Sequence, residues 1–204
     1  PKNNEIARRI MDDLERGVTE LKSRGAYSGN EGTVLFCAVG RQEVHKTYDI
    51  IHEIDPDAKM GNMLCRLENY AESPKPEDQL QVMFEDHFNW FFTDVQATGE
   101  YPYYMQRFFD ENNIHIEMGK DDTKILKEGA VDFITISYYM TYIMRYKGSP
   151  VPQPIGRLLS DIKNPYLPKS DWGWTIDPIG FRITLNRIYD RYHKPEWGSP
   201  VMQV

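Results

Sequence analysis

A short apolar run between helical patterns constrains the fold of this chain more than any other stretch. Val131, Phe133, Ile134 and Ile136 lie close together, and Ser137-Tyr138-Tyr139 follow directly. A run of this kind predicts a β-strand buried on both faces, as in the parallel sheets of α/β proteins. Site residues in such proteins lie just past the C-terminal ends of the strands. The two tyrosines are therefore either site residues or ordinary aromatic residues of core and rim.

The composition narrows the class of protein further. The 204 residues suffice for one medium domain or two small ones, and the net charge of −7 disfavours nucleic acid and anionic membranes as partners. No apolar run approaches the roughly 20 residues of a membrane span, and no secretory signal is evident. Cys37 and Cys65 lack metal-type spacing, which favours a reducing, cytoplasmic setting. We expect no metal and no cofactor.

Residues 1–60 show the pattern of a small α+β domain. Ile6, Ile10 and Leu14 recur at helical spacing, whereas Thr33 to Val39 is rich in β-forming residues. A second helix is predicted from Val44 and ends at Asp55, because the following proline disfavours a helical residue before it. The order helix, strand, strand, helix predicts a sandwich with both helices on one face of an antiparallel sheet.

Two features of this domain leave alternatives open. The turn Gly25-Ala26-Tyr27-Ser28-Gly29 either cradles a small anion with its backbone N–H groups or is a hairpin connection that needs glycine. His45 and His52 are seven residues apart, which favours two solvent-facing histidines, since metal ligands on one helix face are spaced by three or four.

An ordered series of motifs runs through the first domain: Leu14–Thr19, Lys22–Gly29, Val34–Cys37, Arg41–Val44 and Glu53–Ala58. Over about residues 5–58, this series resembles the soluble C-terminal domain of the YitT family of bacterial membrane proteins. It implies a ferredoxin-like or regulatory-type domain. The closing strand of that domain is replaced here by Lys59-Met60-Gly61.

Residues 61–204 alternate strand and helix patterns, which predicts parallel α/β structure. Glu77-Asp78 open a helix whose stripe of Leu80, Phe84, Phe88 and Phe91 or Phe92 is typical of core packing rather than a cofactor site. Asp177 is a good N-cap for a last helix, with Pro178 at its first position.

A longer series of motifs runs from about 61 to 195: Gly61–Leu64, Lys75–Asp78, Phe91–Val95, Gly99–Pro102, Val131–Ile134, Ser137–Met140, Asn164–Leu167, Trp172–Pro178 and Tyr189–Tyr192. These motifs resemble glycoside hydrolase family 1, in its 6-phospho-β-glucosidase branch. The resemblance implies an incomplete (β/α)₈ barrel segment, and a phosphorylated β-glucoside as ligand. Family members use two glutamates, roughly 5–5.5 Å apart, to hydrolyse glycosides with retention.

The motifs that carry those two glutamates are absent from the chain. Glu68 is predicted to lie in the loop before the helix at Glu77, and Glu196 lies in a tail that departs from the family, so we expect no catalytic carboxylate. By resemblance, Tyr138 matches the tyrosine that orients the nucleophile, and Trp174 matches a platform for the leaving-group side of the substrate. The alternative for Trp174 is a buried anchor for the last helix.

Only two barrel strands are predicted, Gly61–Cys65 and Val131–Ser137. Open edges of this kind favour self-association or a complementary fragment. The leading hypothesis is therefore a chimera, with a small regulatory-type domain (1–60) joined to a barrel segment (61–204) that is inactive alone. One alternative is a hydrolase completed by another chain, and the other is a non-enzymatic, small-ligand-binding module in residues 1–58.

Overall fold

The structure is a computed structural model. It describes residues 2–24, 29–148, 162 and 164–200. The chain divides into two compact units, Pro1–Ala58 and Lys59–Val204. Residues 25–28 of the glycine-rich turn lie outside the described residues, so the two interpretations of that turn stay predictions.

The first unit has the predicted order of helix, strand, strand, helix, which is confirmed. Its elements are α1 (Lys2–Leu14), β1 (Val18–Arg24), β2 (Glu31–Cys37), a 3-10 turn (Arg41–Glu43) and α2 (Val44–Ile54). The two strands are antiparallel, with Val18 opposite Cys37. Ile6 and Ile10 of α1 and Ile50 of α2 form the core. A ferredoxin-like arrangement stays a prediction, because the described part of this unit contains one two-stranded sheet.

The second unit alternates strands and helices as predicted. Its elements are β3 (Gly61–Ala71), α3 (Pro76–Thr98), a 3-10 turn (Tyr103–Met105), α4 (Gln106–Glu111), α5 (Asp122–Glu128), β4 (Phe133–Met144), α6 (Pro178–Tyr192) and β5 (Glu196–Pro200). The strands form a parallel sheet in the order β3-β4-β5, with Gly61 opposite Phe133 and Ile134 opposite Glu196. Each crossover between neighbouring strands contains at least one helix, which is the connection that parallel strands require.

The prediction of two barrel strands is wrong, since the described part of this unit contains three. The tail from Glu196 to Pro200 contributes none of the motifs quoted above, yet it pairs with β4 in parallel. Pairing uses backbone N–H and C=O groups, so a segment without a recognised side-chain motif still forms a strand once α6 returns it to the sheet.

The first half of β4 is buried on one face rather than on both. Ile134, Ile136 and Tyr138 are at most 4% exposed and lie toward the helices, whereas Phe133 and Thr135, which alternate with them, are half-buried. The described helices α3 and α6 pack against one side of the sheet, around a core that includes Trp90, Ile134 and Ile188. The opposite side of the sheet is called the open face below.

The aromatic stripe of α3 is not its core-facing side, contrary to prediction. Leu80 is 51% and Phe92 61% exposed. The buried side carries Trp90 together with a set of polar residues, Asp78, Gln81, Glu85, Thr93 and Asp94. These polar groups are tolerated because charged partners reach them: Arg191 of α6, for example, forms two hydrogen bonds to Asp94.

Candidate functional site

A loop of residues 164–177 folds back toward the C-terminal half of β4. It contains a tight turn in which the Gly173 N–H donates to the Ser170 carbonyl at 2.8 Å, with Gly173 at φ +82°. Glycine suits this turn because other residues rarely adopt positive φ. Trp172 within the turn is 72% exposed, and Trp174 follows it half-buried. The loop thus presents two indole rings at the end of the sheet where barrel enzymes carry their sites.

Asp177 holds the end of this loop in place. Its carboxylate accepts from the Gly180 N–H at 2.8 Å, which confirms the predicted N-cap of α6. The same carboxylate accepts from the Tyr70 hydroxyl at 2.9 Å and from the Thr141 hydroxyl at 3.1 Å. Asp177 is 5% exposed, so these hydrogen bonds are shielded from water. One carboxylate therefore ties together β3, β4 and the start of α6.

A second pair of hydrogen bonds joins the loop to β4. The Thr141 N–H donates to the Thr175 hydroxyl at 3.1 Å, and that hydroxyl donates to the Thr141 carbonyl at 3.0 Å. Both threonines are buried. Trp174 is the residue directly before Thr175, so its backbone is fixed relative to the strand.

Three aromatic residues converge where the loop meets the strand. The rings of Tyr139 and Trp174 lie edge to face, with centroids 5.7 Å apart, and those of Trp172 and Trp174 are 6.4 Å apart. Tyr139, Trp172 and Trp174 are called the aromatic site below. The surface that the aromatic site offers is largely apolar, with hydroxyl and indole N–H groups as polar handles.

Tyr138 lies on the other side of the sheet from Tyr139. Its ring packs on Phe181 of α6 with centroids 5.2 Å apart, and its hydroxyl donates to the Asp177 carbonyl at 3.0 Å. Burial raises the pKa of this hydroxyl far above its usual range. In the structure, the neighbours of Tyr138 therefore lie in the helix layer. The sequence resemblance implies instead that this tyrosine contacts a nucleophile in the barrel interior. Side chains alternate along a strand, so a shift of one residue changes the face.

Sequence reasoning left Tyr139 open between a site residue and a core or rim residue, and it did not single out Trp172. The alternation of side chains along β4 could have identified Tyr139. Ile134 and Ile136 form the apolar core face, and Tyr138, two residues further on, lies on that same face. Tyr139 lies on the opposite face of the strand, and the structure accordingly places it beside Trp174.

Glu68 lies in β3 and not in a loop, which corrects the prediction. It is fully buried between the sheet and α6, accepts from the Thr184 hydroxyl at 3.0 Å and forms an ion pair with Arg187. Arg66, also fully buried, lies 3.7 Å away. Burial raises the pKa of Glu68, an effect that Arg66 and Arg187 oppose. The carboxyl faces the helix layer, away from the open face.

Glu196 is the first residue of β5, at the end of the sheet opposite the aromatic site. Its Oε2 atom is buried and lacks a hydrogen-bond partner among the described residues. Burial raises the pKa of this carboxyl. Neither Glu68 nor Glu196 is brought near Trp174 by these contacts.

Within the described ranges, no three or more His, Cys, Asp or Glu side chains are grouped so that they could hold a metal ion. His45 and His52 are both exposed on α2. Among the helices described here, none combines the length and the apolar character required to cross a membrane.

Comparison with known families gives two matches. Glycosyl hydrolase family 1 matches residues 38–197, and a family described as an uncharacterized protein conserved in bacteria matches residues 16–59. Both resemblances predicted from the sequence are thereby confirmed, although the first match begins inside the first unit.

Several known proteins are similar to parts of the chain. Aryl-phospho-beta-D-glucosidase BglH of Bacillus subtilis is 49% identical over 144 residues, 71% of this chain and 31% of that protein. A 6-phospho-beta-glucosidase of Clostridium longisporum is 46% identical over 144 residues, 71% of this chain and 30% of that protein. The membrane protein YpjC of B. subtilis is 40% identical over 57 residues, 28% of this chain and 20% of that protein.

Solved structures agree with the sequence relatives. A beta-glucosidase from Thermotoga maritima in complex with glucoimidazole shares 25% identity with a TM-score of 0.56, covering 74% of this chain and 32% of the other. A beta-glucosidase from Exiguobacterium marinum is 22% identical with a TM-score of 0.59. The match covers 74% of this chain and 33% of the glucosidase chain, and it supports the fold described above. The chain thus spans about a third of the length of the glucosidases it matches.

Proposed function

From the premise that the chain belongs to glycosyl hydrolase family 1, we propose that its second unit binds phosphorylated β-glucosides at the aromatic site and does not hydrolyse them alone. The observation that carries this proposal is the convergence of Tyr139, Trp172 and Trp174 at the C-terminal end of β4. The C–H groups of a sugar or aryl ring pack well on an indole face, and nearby hydroxyl groups orient it. The names of the relatives support a phosphorylated β-glucoside as the ligand class.

Within this proposal, Trp174 forms the platform for the leaving-group side of the ligand. Tyr138 has a supporting role, because its hydroxyl is engaged by the Asp177 carbonyl. Tyr139 takes the place on the open face that the resemblance assigns to the tyrosine of the family. A cytoplasmic location is part of the proposal and accords with Cys37 and Cys65, which are both free thiols.

The placement of Glu68 and Glu196 supports the proposal that the chain alone is inactive. Retention requires two carboxyl groups roughly 5–5.5 Å apart on either side of the scissile bond. Glu68 is enclosed between β3 and α6, and Glu196 is at the far end of the sheet. Neither is placed to act on a ligand that rests on Trp174.

Titration with an aryl 6-phospho-β-glucoside tests both parts of the proposal. We expect quenching of tryptophan fluorescence on binding, a loss of about tenfold or more in affinity for Trp174→Ala, and no release of the aryl group above the buffer rate. Tyr166→Ala is the matched control, because Tyr166 is a 90% exposed aromatic residue of the same loop outside the aromatic site. Equal affinity of Trp174→Ala and the unaltered chain, or turnover by the purified chain, would contradict the proposal.

A second function is favoured by a groove in the first unit, which we propose as a small-anion site. The groove has a volume of about 380 Å³ and is lined by Lys22, Ser23, Arg24, Glu31, Gly32 and Thr33. Lys22 and Arg24 outnumber Glu31 in this lining, so the groove carries a net positive charge, which suits an anionic ligand. Chemical-shift perturbation of the full chain with inorganic phosphate and with nucleotides checks this proposal. Shifts confined to Lys22–Arg24 and Glu31–Thr33 are expected, and unchanged spectra at millimolar ligand would rule the site out.

A further inference from the structure

A groove in the helix layer of the second unit, called the tyrosine groove below, is separate from the proposed ligand site. It has a volume of about 420 Å³, and small-molecule sites occupy roughly 300–1,000 Å³. The end of α3, the connection Glu100–Tyr104 and the end of α6 line it, and four of the lining residues are tyrosines: Tyr101, Tyr103, Tyr104 and Tyr192. The Val131 N–H donates to the Gln96 carbonyl at 2.9 Å, so α3 ends beside the start of β4. The tyrosine groove is therefore at the end of the sheet opposite the aromatic site.

The inner wall of the tyrosine groove is a closed set of hydrogen bonds around one carboxylate. Asp94 is 5% exposed and accepts from the Tyr104 hydroxyl at 2.5 Å and from the Tyr192 hydroxyl at 2.6 Å. It also accepts from Nε and Nη2 of Arg191, and such bidentate pairs are strong and directional. His87 stacks on the Tyr104 ring with centroids 4.4 Å apart. A ligand that leaves these contacts intact meets a wall that is already ordered.

The outer wall presents an exposed aromatic ring on a rigid backbone. Tyr103 is 91% exposed, and Pro102 before it has φ −68°, which the proline ring fixes. The Met105 N–H donates to the Pro102 carbonyl at 3.1 Å. Gly99 has φ +70°, and a Cβ there would lie 2.5 Å from the Leu126 carbonyl oxygen, so the connection packs closely on α5. A ring held on such a backbone can bind a ligand with little loss of conformational entropy.

The charges of the tyrosine groove are matched in pairs. Its charged lining residues are Asp94, Glu100 and Arg191. Arg191 pairs with Asp94, and Glu100 pairs with Lys127 at 2.6 Å. An anion would have to separate Arg191 from Asp94, and a cation would compete with the Arg191 guanidinium, whose carbon already lies 5.9 Å from the Tyr104 ring centroid. The tyrosine groove therefore suits a neutral ligand.

We propose that the tyrosine groove binds a neutral oligosaccharide of equatorially substituted rings, such as β-linked glucose, with Tyr103 as the platform. Such a ring carries its hydroxyls around the rim and its C–H groups on the two faces. A face packs on an aromatic ring, and the rim hydroxyls exchange hydrogen bonds with the hydroxyls of Tyr101 and Tyr103 and with the Glu100 carboxylate. A flat apolar molecule would cover Tyr103 without offering partners to these groups. Binding here does not depend on the aromatic site.

Titration of the full chain with cellotetraose, followed by NMR, tests the proposal. We expect saturable binding at about millimolar concentration, with shifts confined to residues 94–104 and 191–192. Tyr103→Ala should lower the affinity by about tenfold or more, because it removes the platform. Tyr103→Trp keeps an aromatic platform and should bind within about threefold of the unaltered chain. Tyr103 is exposed, so both variants should keep the melting temperature of the unaltered chain.

Two further variants and a second ligand serve as controls. Tyr166→Ala removes a tyrosine that is 90% exposed in the loop of residues 164–177, and we expect it to leave the affinity unchanged. Trp174→Ala removes the platform of the aromatic site, and it too should leave cellotetraose binding unchanged. Phenol provides a flat aromatic ring with a single hydroxyl, and we expect it to bind at least about tenfold more weakly than cellotetraose.

Four results would overturn the proposal. The first is the absence of saturable binding up to tens of millimolar cellotetraose. The second is an equal loss of affinity in Tyr103→Ala and Tyr166→Ala. The third is a loss in Trp174→Ala alone, which would assign the oligosaccharide to the aromatic site. The fourth is binding of phenol as tight as that of cellotetraose, which would assign the tyrosine groove to flat apolar ligands.

Discussion

Substitution of Asp177 by alanine should destabilise the second unit by about 4 kcal/mol, a large part of the 5–15 kcal/mol typical of a domain. Asp177 is 5% exposed and its carboxylate accepts three hydrogen bonds, from the Gly180 N–H and from the hydroxyls of Tyr70 and Thr141. Alanine removes all three acceptor contacts and leaves two hydroxyl groups without the partner they have in the folded state.

The magnitude follows from the separate contributions. Loss of an N-cap costs about 1 kcal/mol. A hydrogen bond to a charged group contributes about 1.5–3 kcal/mol, so loss of the Tyr70 and Thr141 contacts adds about 3 kcal/mol at the lower end of that range. For a unit of this size a loss of about 4 kcal/mol lowers the melting temperature by about 10 °C. Asp177→Asn keeps an oxygen for the Gly180 N–H and should cost about half as much.

Urea unfolding followed by far-UV circular dichroism measures the free energy of unfolding of each variant. Asp190→Ala is the matched control, because Asp190 is an exposed aspartate on the same helix, and we expect it to change the free energy by less than about 0.5 kcal/mol. Near-UV circular dichroism of Asp177→Ala should also change, because Trp172 and Trp174 lie on the loop that Asp177 anchors.

A loss below about 1 kcal/mol in Asp177→Ala would refute this reasoning, since it would be no larger than the cap contribution alone. A double-mutant cycle with Tyr70→Phe separates the contributions. Independent effects of the two substitutions would show that the Tyr70 hydroxyl and the Asp177 carboxylate do not stabilise one another.

Two further predictions concern the same unit. Gly180→Ala should lower the melting temperature although alanine favours helices, because its Cβ would lie 2.4 Å from the Tyr138 hydroxyl and 2.6 Å from Thr141 Cγ2. Asn186→Ala, at an exposed site of α6, is the control. A rise in the melting temperature of Gly180→Ala would contradict the packing argument. Burial lowers the pKa of His87, so the stability it contributes is present above its unfolded pKa of about 6.5 and is lost as the pH falls through the lower folded pKa. Urea midpoints between pH 7 and 5 should therefore fall with acidification, and less steeply in His87→Phe; parallel curves for the two proteins would count against this assignment.

The amino-acid sequence by itself determined the family and the order of helices and strands as far as α6. Helix and strand periods are local properties, and Asp177 followed by Pro178 is a helix start that depends on residues adjacent in the chain. The family motifs are likewise contiguous in sequence, so they were recognised without coordinates.

The tertiary structure decided which way the side chains face and what they meet. β5 forms although its residues gave no strand prediction, because pairing with β4 depends on backbone groups brought alongside. The buried side of α3 is polar because Arg191 approaches it from α6, a contact between residues 97 positions apart. Tyr138 and Tyr139 are adjacent and chemically identical, and only their positions in the pleat of β4 assign one to the helix layer and the other to Trp174. Spacing in the sequence sets which residues share a face, whereas long-range packing determines what that face contacts.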